Sequence, residues 1–487
     1  MFGKIHGLVK DSALYGVGTI AARAVAFLLL PYYSHLMTPT EYGVYALFLV
    51  FVSIVQALYV HGIDIAFLRF SATAKGEQKR RDLGMALAQT LLVGGSISAL
   101  IILFAPAIAP VIINGAGARE ILITRICAGL MLSDTLSYHI FTFLRIQRRP
   151  VLFSTLKLIH VVLNISLNVL MVGTFRLGPL GAYLAFLAAS VALLLLLLVL
   201  VRREIRFHWS WEQVRPWLIF GLPNLPSMIF LYAVEVSDRK WIEALLGIDQ
   251  AGIYAAGYRV GMLMNMVAQA FRYAWQPFFL QTADDKEAKQ IYARVLTYYV
   301  AVAGWIWLAA TFLLGPLLKW NLPGIGPLID ERYWAGLQVF PIVMLAHIFN
   351  GVYANFMVGV YLEKKTMAIP AVIGLAAVVN VVGNGLLIPH FGYMASAWLT
   401  VASYALMAVV MYLYIQPRYP VPYEWMRILR IAMTLFVAWG LAGAARDHLP
   451  AIGALGVMIL LLLVVPAVWW PYVLHKEERA ALRRRFG

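Results

Sequence analysis

The sequence predicts an all-α polytopic membrane protein with about fourteen transmembrane helices. Three observations predict it. Of 487 residues, 62% are hydrophobic and only 13% are charged, too little charge to cover a soluble surface of this size, so much of the exterior must meet lipid. Apolar runs long enough to cross a bilayer recur from end to end, and they are too long and too uniform for the strands of a β-barrel. Lys and Arg collect in the short segments between those runs. The net charge of +16 therefore marks membrane flanks rather than a nucleic-acid surface, and a single cysteine, Cys127, leaves no intrachain disulfide to form.

The first expected span, 10–34, follows a basic head without a convincing cleavage site and is read as a retained helix. Spans at 40–69 and 83–105 follow. Pro106, Pro110, Asn114 and Gly115 then mark a turn-rich connection. The next spans are 119–145, 150–173, 179–201, 213–238, 250–280 and 290–315. The connection at 316–332, the largest expected outside the cell, is too short for a folded domain. The last five spans are 333–362, 366–388, 392–415, 425–445 and 451–474.

Alternate connections carry the basic residues: Lys75, Lys79, Arg80 and Arg81, then Arg148 and Arg149, Arg202, Arg203 and Arg206, Lys364 and Lys365, and the tail from Lys476. The positive-inside rule puts these in the cytoplasm together with both termini, which an even number of spans satisfies.

The chain also repeats itself. "LMTPTEYGVYA" at Leu36 returns as "LLGIDQAGIYA" at Leu245, pairing Gly43 with Gly252 and Tyr45 with Tyr254. Later in each half Asn164 pairs with Asn380, Asn168 with Asn384 and Gly178 with Gly392. Two echoes in the same order imply a duplicated unit. The expected division is a six-helix lobe at 1–208, a second at 209–418, and two further helices with a basic cytoplasmic tail at 419–487. Six is even, so the copies cross the membrane in the same sense, a parallel-repeat arrangement found in transporters whose lobes rock about a central path.

The stretches "LMTPTEYGVYAL", "GIDIAFLRFSA" (Gly62 to Ala72), "LGPLGAYLA" (Leu177 to Ala185) and "VSDRKWIEALLGIDQAGIYAAGYRVG" (Val236 to Gly261) resemble a known family. It is the polysaccharide-transport branch of the multidrug/oligosaccharidyl-lipid/polysaccharide (MOP) exporter superfamily, the Wzx-type O-antigen and exopolysaccharide flippases. The resemblance covers residues 10–415. It implies a MATE/MOP-like fold in the bacterial inner membrane. It also implies an activity, moving a polyprenyl-pyrophosphate-linked oligosaccharide from the cytoplasmic to the outer leaflet, with membrane lipids and the polysaccharide polymerase and other assembly proteins as partners.

The intramembrane charges point to the same chemistry. An ionisable group deep in a bilayer normally faces a wet cavity or a partner. Arg23 lies mid-way along the first span beside Gly16, Thr19 and Ala26 and is either a cavity cation or half of an ion pair. Lys157, His160, Asn164 and Asn168 share a narrow arc of the fifth span. The two asparagines also suit interhelical hydrogen bonding, and His160 also suits packing. Arg259 and Arg272 lie along the eighth span, and Arg125 lies on the fourth, opposite Asp134. Asp134, Asp64 and Asp238 are candidates for coupling acids or for ion-pair partners. Deep cations outnumber deep acids, which favours an anionic ligand, and arginine's planar fork suits phosphate.

Gly16 and Gly18 in the first span, and Pro223 and Pro226 in the seventh, are expected bending points for alternating access. No metal site and no cofactor are expected, and without a GxxxxGK[ST] loop the driving force would be H+ or Na+ coupling or the membrane potential. A multidrug or small-molecule exporter and a peptidoglycan-precursor flippase are the alternatives on the same fold. A membrane glycan polymerase or ligase would need a catalytic loop that this sequence lacks.

Overall fold

The computed structural model describes residues 27, 29–74, 76–324 and 326–472. The first expected span thus lies largely outside the described residues. Helix α1 (Pro39–Val60) starts where the sequence signals a start. Thr38 caps it through its side chain, Glu41 returns the bond to the Thr38 backbone at 3.1 Å, and Pro39 occupies the first turn, where no N–H is needed. The helix then ends early. His61 and Gly62 take left-handed φ values of 34° and 75°, so the expected span 40–69 divides into α1 and α2 (Ile63–Ala72). A side chain at Gly62 would overlap the backbone of Gly221, and one at Gly221 would overlap Gly62. The break therefore lets two backbones touch.

After α3 (Glu77–Leu103) the turn-rich stretch forms a short helix, α4 (Ala105–Ile112), with Pro106 in its first turn. Helices α5 (Ala118–Ile146), α6 (Pro150–Asn168) and α7 (Gly178–Val201) follow, α6 running on into a π turn at Val169–Thr174. The seventh expected span is interrupted. A 3₁₀ turn at Leu222–Asn224 separates α8 (Trp211–Gly221) from α9 (Leu225–Val236), where Pro223 and Pro226 each remove a backbone donor. Helix α10 (Asp238–Leu246) comes next. The eighth expected span is also divided, at Met262, into α11 (Ile248–Gly261) and α12 (Leu263–Gln281).

Helix α13 (Ala288–Leu318) leads into the expected outer connection. There the two-residue strands β1 (Asn321–Leu322) and β2 (Gly326–Pro327) pair antiparallel ahead of a 3₁₀ turn at Glu331–Gln338. The chain finishes with α14 (Phe340–Leu362), α15 (Ala368–Phe391), α16 (Met394–Ile415), α17 (Trp425–His448) and α18 (Ala451–Tyr472). Among the described residues, twelve helical segments are long and apolar enough to cross a membrane. The chain is an all-α, multi-pass membrane protein.

Two compact units emerge from packing. The first holds the chain up to Ala256 together with Ile369–Ser396, and the second holds Gly257–Ala368 together with the chain from Ala397 onward. These borders differ from the sequence divisions at 208 and 418, because α8 to α10 and α15 pack with the first unit. The expected lobes follow the sequence repeat, whereas the units follow packing. In the first unit Phe67, Leu83, Phe143, Leu197 and Trp217 form one buried cluster.

The repeated phrase has a structural counterpart within the first unit. Pro39 and Ile248 are aligned positions, as are Gly43 and Gly252. A side chain on Gly43 would overlap the Ile248 carbonyl, and one on Gly252 would overlap the Pro39 carbonyl. The contact is reciprocal, the pattern that a two-fold axis produces. Thr40 and Asp249, aligned positions 209 residues apart, hydrogen-bond to each other through their side chains. The two copies of the phrase build one seam between the starts of α1 and α11. A second tie lies nearby in the chain: Lys240 Nζ donates to the Ile112 carbonyl at 3.1 Å and to Glu243 at 2.8 Å, and the Asn114 N–H donates to Glu243 at 2.9 Å.

Candidate functional site

In the first unit, α5, α6 and α7 bring together Asp134, Lys157, His160 and Ser190. Asp134 is half-buried and accepts a hydrogen bond from Ser190 Oγ. Lys157, also half-buried, lies within electrostatic reach of Asp134 and of His160. Its Nζ sits 4.2 Å from the centre of the Phe141 ring, a cation–π contact. No ion pair within 4.0 Å forms between Lys157 and any carboxylate among the described residues. Lys157 is thus a cation beside an aromatic face, near but not in contact with an acid that is already hydrogen-bonded, an arrangement able to accept an anion. The sequence placed Lys157 and His160 on one arc, and the structure keeps them together.

The asparagines do different work. Asn168 is fully buried, and its Nδ2 donates to the Asn164 carbonyl and to Asn164 Oδ1, both at 2.9 Å. Tyr33 donates to Asn168 Oδ1. The aligned pair repeats this. Asn384 Nδ2 donates to the Asn380 carbonyl at 2.8 Å and to its Oδ1 at 3.1 Å, while Ser396 Oγ donates to Asn384 Oδ1 at 2.6 Å. Both Asn168 and Asn384 spend their amides on protein, so they tie helices together in this conformation rather than present groups to a ligand. Asn384→Ala should lower stability by about 1–3 kcal/mol, because it removes the buried hydrogen bonds to Asn380 and Ser396. The readout is the thermal midpoint in detergent, and an unchanged midpoint would show that the pair does not hold α15 to α16.

Other sequence candidates separate. Arg125 is exposed on the face of α5 opposite Asp134, so the structure does not bring it to Lys157. Asp238 is fully buried and spoken for: Arg239 donates to its Oδ1 at 2.8 Å, and Tyr254 donates to its Oδ2. It is placed as an ion-pair partner. Asp64 is half-buried with the Tyr138 hydroxyl at 3.5 Å. Pro223 and Pro226 are exposed at the interruption between α8 and α9. Arg23, Gly16 and Gly18 lie outside the described residues.

Arg259 and Arg272 fall in the second unit, both half-buried. Arg272 belongs to a polar stripe that sequence reasoning missed, Asn265, Gln269, Arg272 and Gln276 on one face of α12. The spacing of four, three and four is present in the sequence, with Arg272 its one charged member. No group of three or more His, Cys, Asp or Glu that could hold a metal ion occurs among the described residues.

The architecture defines a class of protein, the many-helix membrane bundle. It is similar to "Lipid II flippase MurJ, inward closed conformation", with a TM-score of 0.75 at 12% identity, covering 94% of this chain and 99% of that one. A multidrug resistance MATE family transporter of the MOP superfamily in its inward-facing conformation gives 0.62 at 14% identity, covering 85% and 96%. A Vibrio cholerae MATE transporter gives 0.59 at 14%, with the same coverage. These likenesses establish the fold. No curated protein matches the chain in sequence. The family model described as "Polysaccharide biosynthesis protein" matches residues 34–317, and the chain belongs to that family.

Proposed function

We propose that this protein is a flippase that carries a polyprenyl-pyrophosphate-linked oligosaccharide from the cytoplasmic to the outer leaflet by alternating access, for cell-surface polysaccharide such as O-antigen or exopolysaccharide. One observation carries the reading. Each unit holds a half-buried cation, Lys157 in the first and Arg272 in the second, that forms no ion pair with a carboxylate among the described residues. A cation kept without a carboxylate in an apolar bundle costs stability unless an anion or water meets it. A diphosphate headgroup supplies the anion, whereas an exporter of organic cations would want acids in these places. Membership of a polysaccharide biosynthesis family supports the glycan.

The charge bias of the connections supports a seam between Pro39–Gly43 and Ile248–Gly252 that faces outward from a bacterial inner membrane, with both termini inside. There it serves as the outer closure, and Pro223 and Pro226 serve as a bending point. The driving force is an H+ or Na+ gradient or the membrane potential acting on the headgroup. The likeness to a lipid II flippase favours one second reading, a peptidoglycan precursor, which shares the diphosphate and differs in the sugar.

The test is complementation of strains lacking a flippase and differing in their lipid-linked sugar, read as surface polysaccharide. Arg23→Gln and Arg259→Gln should each abolish display while folded protein in the membrane stays near normal. Normal display in both variants would defeat the cationic path.

A further inference from the structure

The second unit contains a set of buried polar atoms whose bonding needs no protein group meets. On α14, His347, Asn350 and Tyr353 follow one another at three-residue spacing along one side of the helix, with exposures of 0%, 4% and 5%. Both ring nitrogens of His347, Oδ1 of Asn350 and the hydroxyl of Tyr353 have no hydrogen-bond partner among the described residues, and neither does Nε of Arg272 on α12. Buried polar groups are ordinarily paired, so five such atoms on two neighbouring helices mark a place built for something else.

The surroundings hold these groups in position. The Tyr299 hydroxyl, from α13, fills the space that Gly351 leaves by lacking a side chain and lies 3.5 and 3.4 Å from the His347 and Ile348 carbonyls. The Tyr299 ring packs on Phe271, the neighbour of Arg272, at 4.5 Å between centres. Tyr404 of α16 lies against the His347 ring at 5.5 Å. Tyr299, Tyr353, Tyr361 and His347 all lie within electrostatic reach of Arg272, and α12 and α14 pack directly on each other.

The chemistry of the set selects its ligand. Arg272 Nε–H, the Tyr353 hydroxyl and one His347 N–H are donors, and Asn350 Oδ1 is an acceptor. The formal charge is positive and no carboxylate belongs to the group, which disfavours a metal cation. A tetrahedral oxyanion offers several acceptor oxygens to the donors, and a protonated or esterified oxygen with a nearby hydroxyl serves Asn350. We propose that Arg272, His347, Asn350 and Tyr353 form a phosphate-binding site inside the second unit. The inference rests on the flippase reading for its biological source, the headgroup of a lipid-linked glycan, while free phosphate presents the same chemistry.

The test uses the full chain, purified in detergent and in lipid nanodiscs. Inorganic pyrophosphate and, separately, vesicles containing polyprenyl diphosphate are the probes, with wild type, Arg272→Gln, Arg272→Lys and Tyr353→Phe compared. Tyr353→Phe removes one oxygen and keeps the ring, so it should fold, and a circular-dichroism melt checks that it does. Binding of either probe should weaken at least about tenfold in Tyr353→Phe, be lost in Arg272→Gln and be partly retained in Arg272→Lys. Binding of the lipid alone identifies the headgroup as the source, and binding of both probes shows that phosphate suffices. Equal binding by wild type and by folded Tyr353→Phe and Arg272→Gln overturns the site, as does binding of neither probe. If wild type restores surface glycan while these variants bind and transport normally, the site falls and the flippase reading stands. If the variants lose phosphate but wild type complements no strain, the site stands and the flippase reading falls.

Discussion

Oxidising a Thr40→Cys/Asp249→Cys variant should stop glycan export, and a reductant should restore it. These side chains hydrogen-bond to each other in the wild-type chain, at aligned positions of the two phrases. Gly43 and Gly252, one turn further along each helix, bring backbone against backbone, which makes this pair a candidate for the Cα separation of about 4.4–6.8 Å that a disulfide needs. The native thiol, Cys127, is buried and does not compete. If the seam closes the outer face, each transport cycle must part α1 from α11, and a covalent bond there arrests the cycle. The expected effect is a loss of at least about tenfold in surface polysaccharide, equal to about 1.4 kcal/mol or more on the limiting step, with recovery once the bond is reduced. Folding is checked by the same restoration, since a misfolded variant would not regain activity. Full cross-linking with undiminished export would show that the seam stays shut throughout transport, and the outer closure would have to lie elsewhere.

The sequence was most legible where one strand of physics dominated. Span positions follow from hydropathy over windows as long as a bilayer is thick, and twelve segments appear near where that argument puts them. The paired asparagines were legible through repetition, and their bonding is the same in both copies. What escaped depended on a partner distant in the chain. His61 and Gly62 end α1 because a backbone from α8 crosses there, and nothing local to "VHGID" announces that contact. Likewise, repetition of a phrase says that two copies exist but not that they touch. The break at Met262 follows Gly261, where a side chain would overlap Val343 of α14, a partner equally distant in the chain. In the second unit the sequence shows the charge of Arg272, while His347 and Asn350, which share one helix face, read as packing residues until their unmet atoms are seen.

Lys157→Gln should cost the protein its transport, and the acid beside it supplies the control. Asp134 and Lys157 feel each other's charge without touching, and Asp134 already holds Ser190. Two roles for the lysine make opposite forecasts for a double-mutant cycle. Were Lys157 only the structural partner of Asp134, removing both charges would restore stability and transport together, because neither group would be left stranded. A lysine that meets phosphate behaves otherwise. Asp134→Asn alone removes the acid whose charge Lys157 feels and lowers the thermal midpoint; Lys157→Gln alone removes the cation whose charge Asp134 feels and does the same. The double variant recovers the midpoint and still fails to transport. Loss of one charge-assisted hydrogen bond to the headgroup is worth about 1.5–3 kcal/mol, so export should fall by about ten- to a hundredfold. Phe141 sharpens the test, because Phe141→Leu removes the aromatic face 4.2 Å from the ammonium while leaving its charge, and should reduce export far less than Lys157→Gln. Surface polysaccharide per folded molecule is the quantity to compare across the cycle. Recovery of export in the double variant would reassign Lys157 to the framework and leave the second unit's arginines to carry the anion alone.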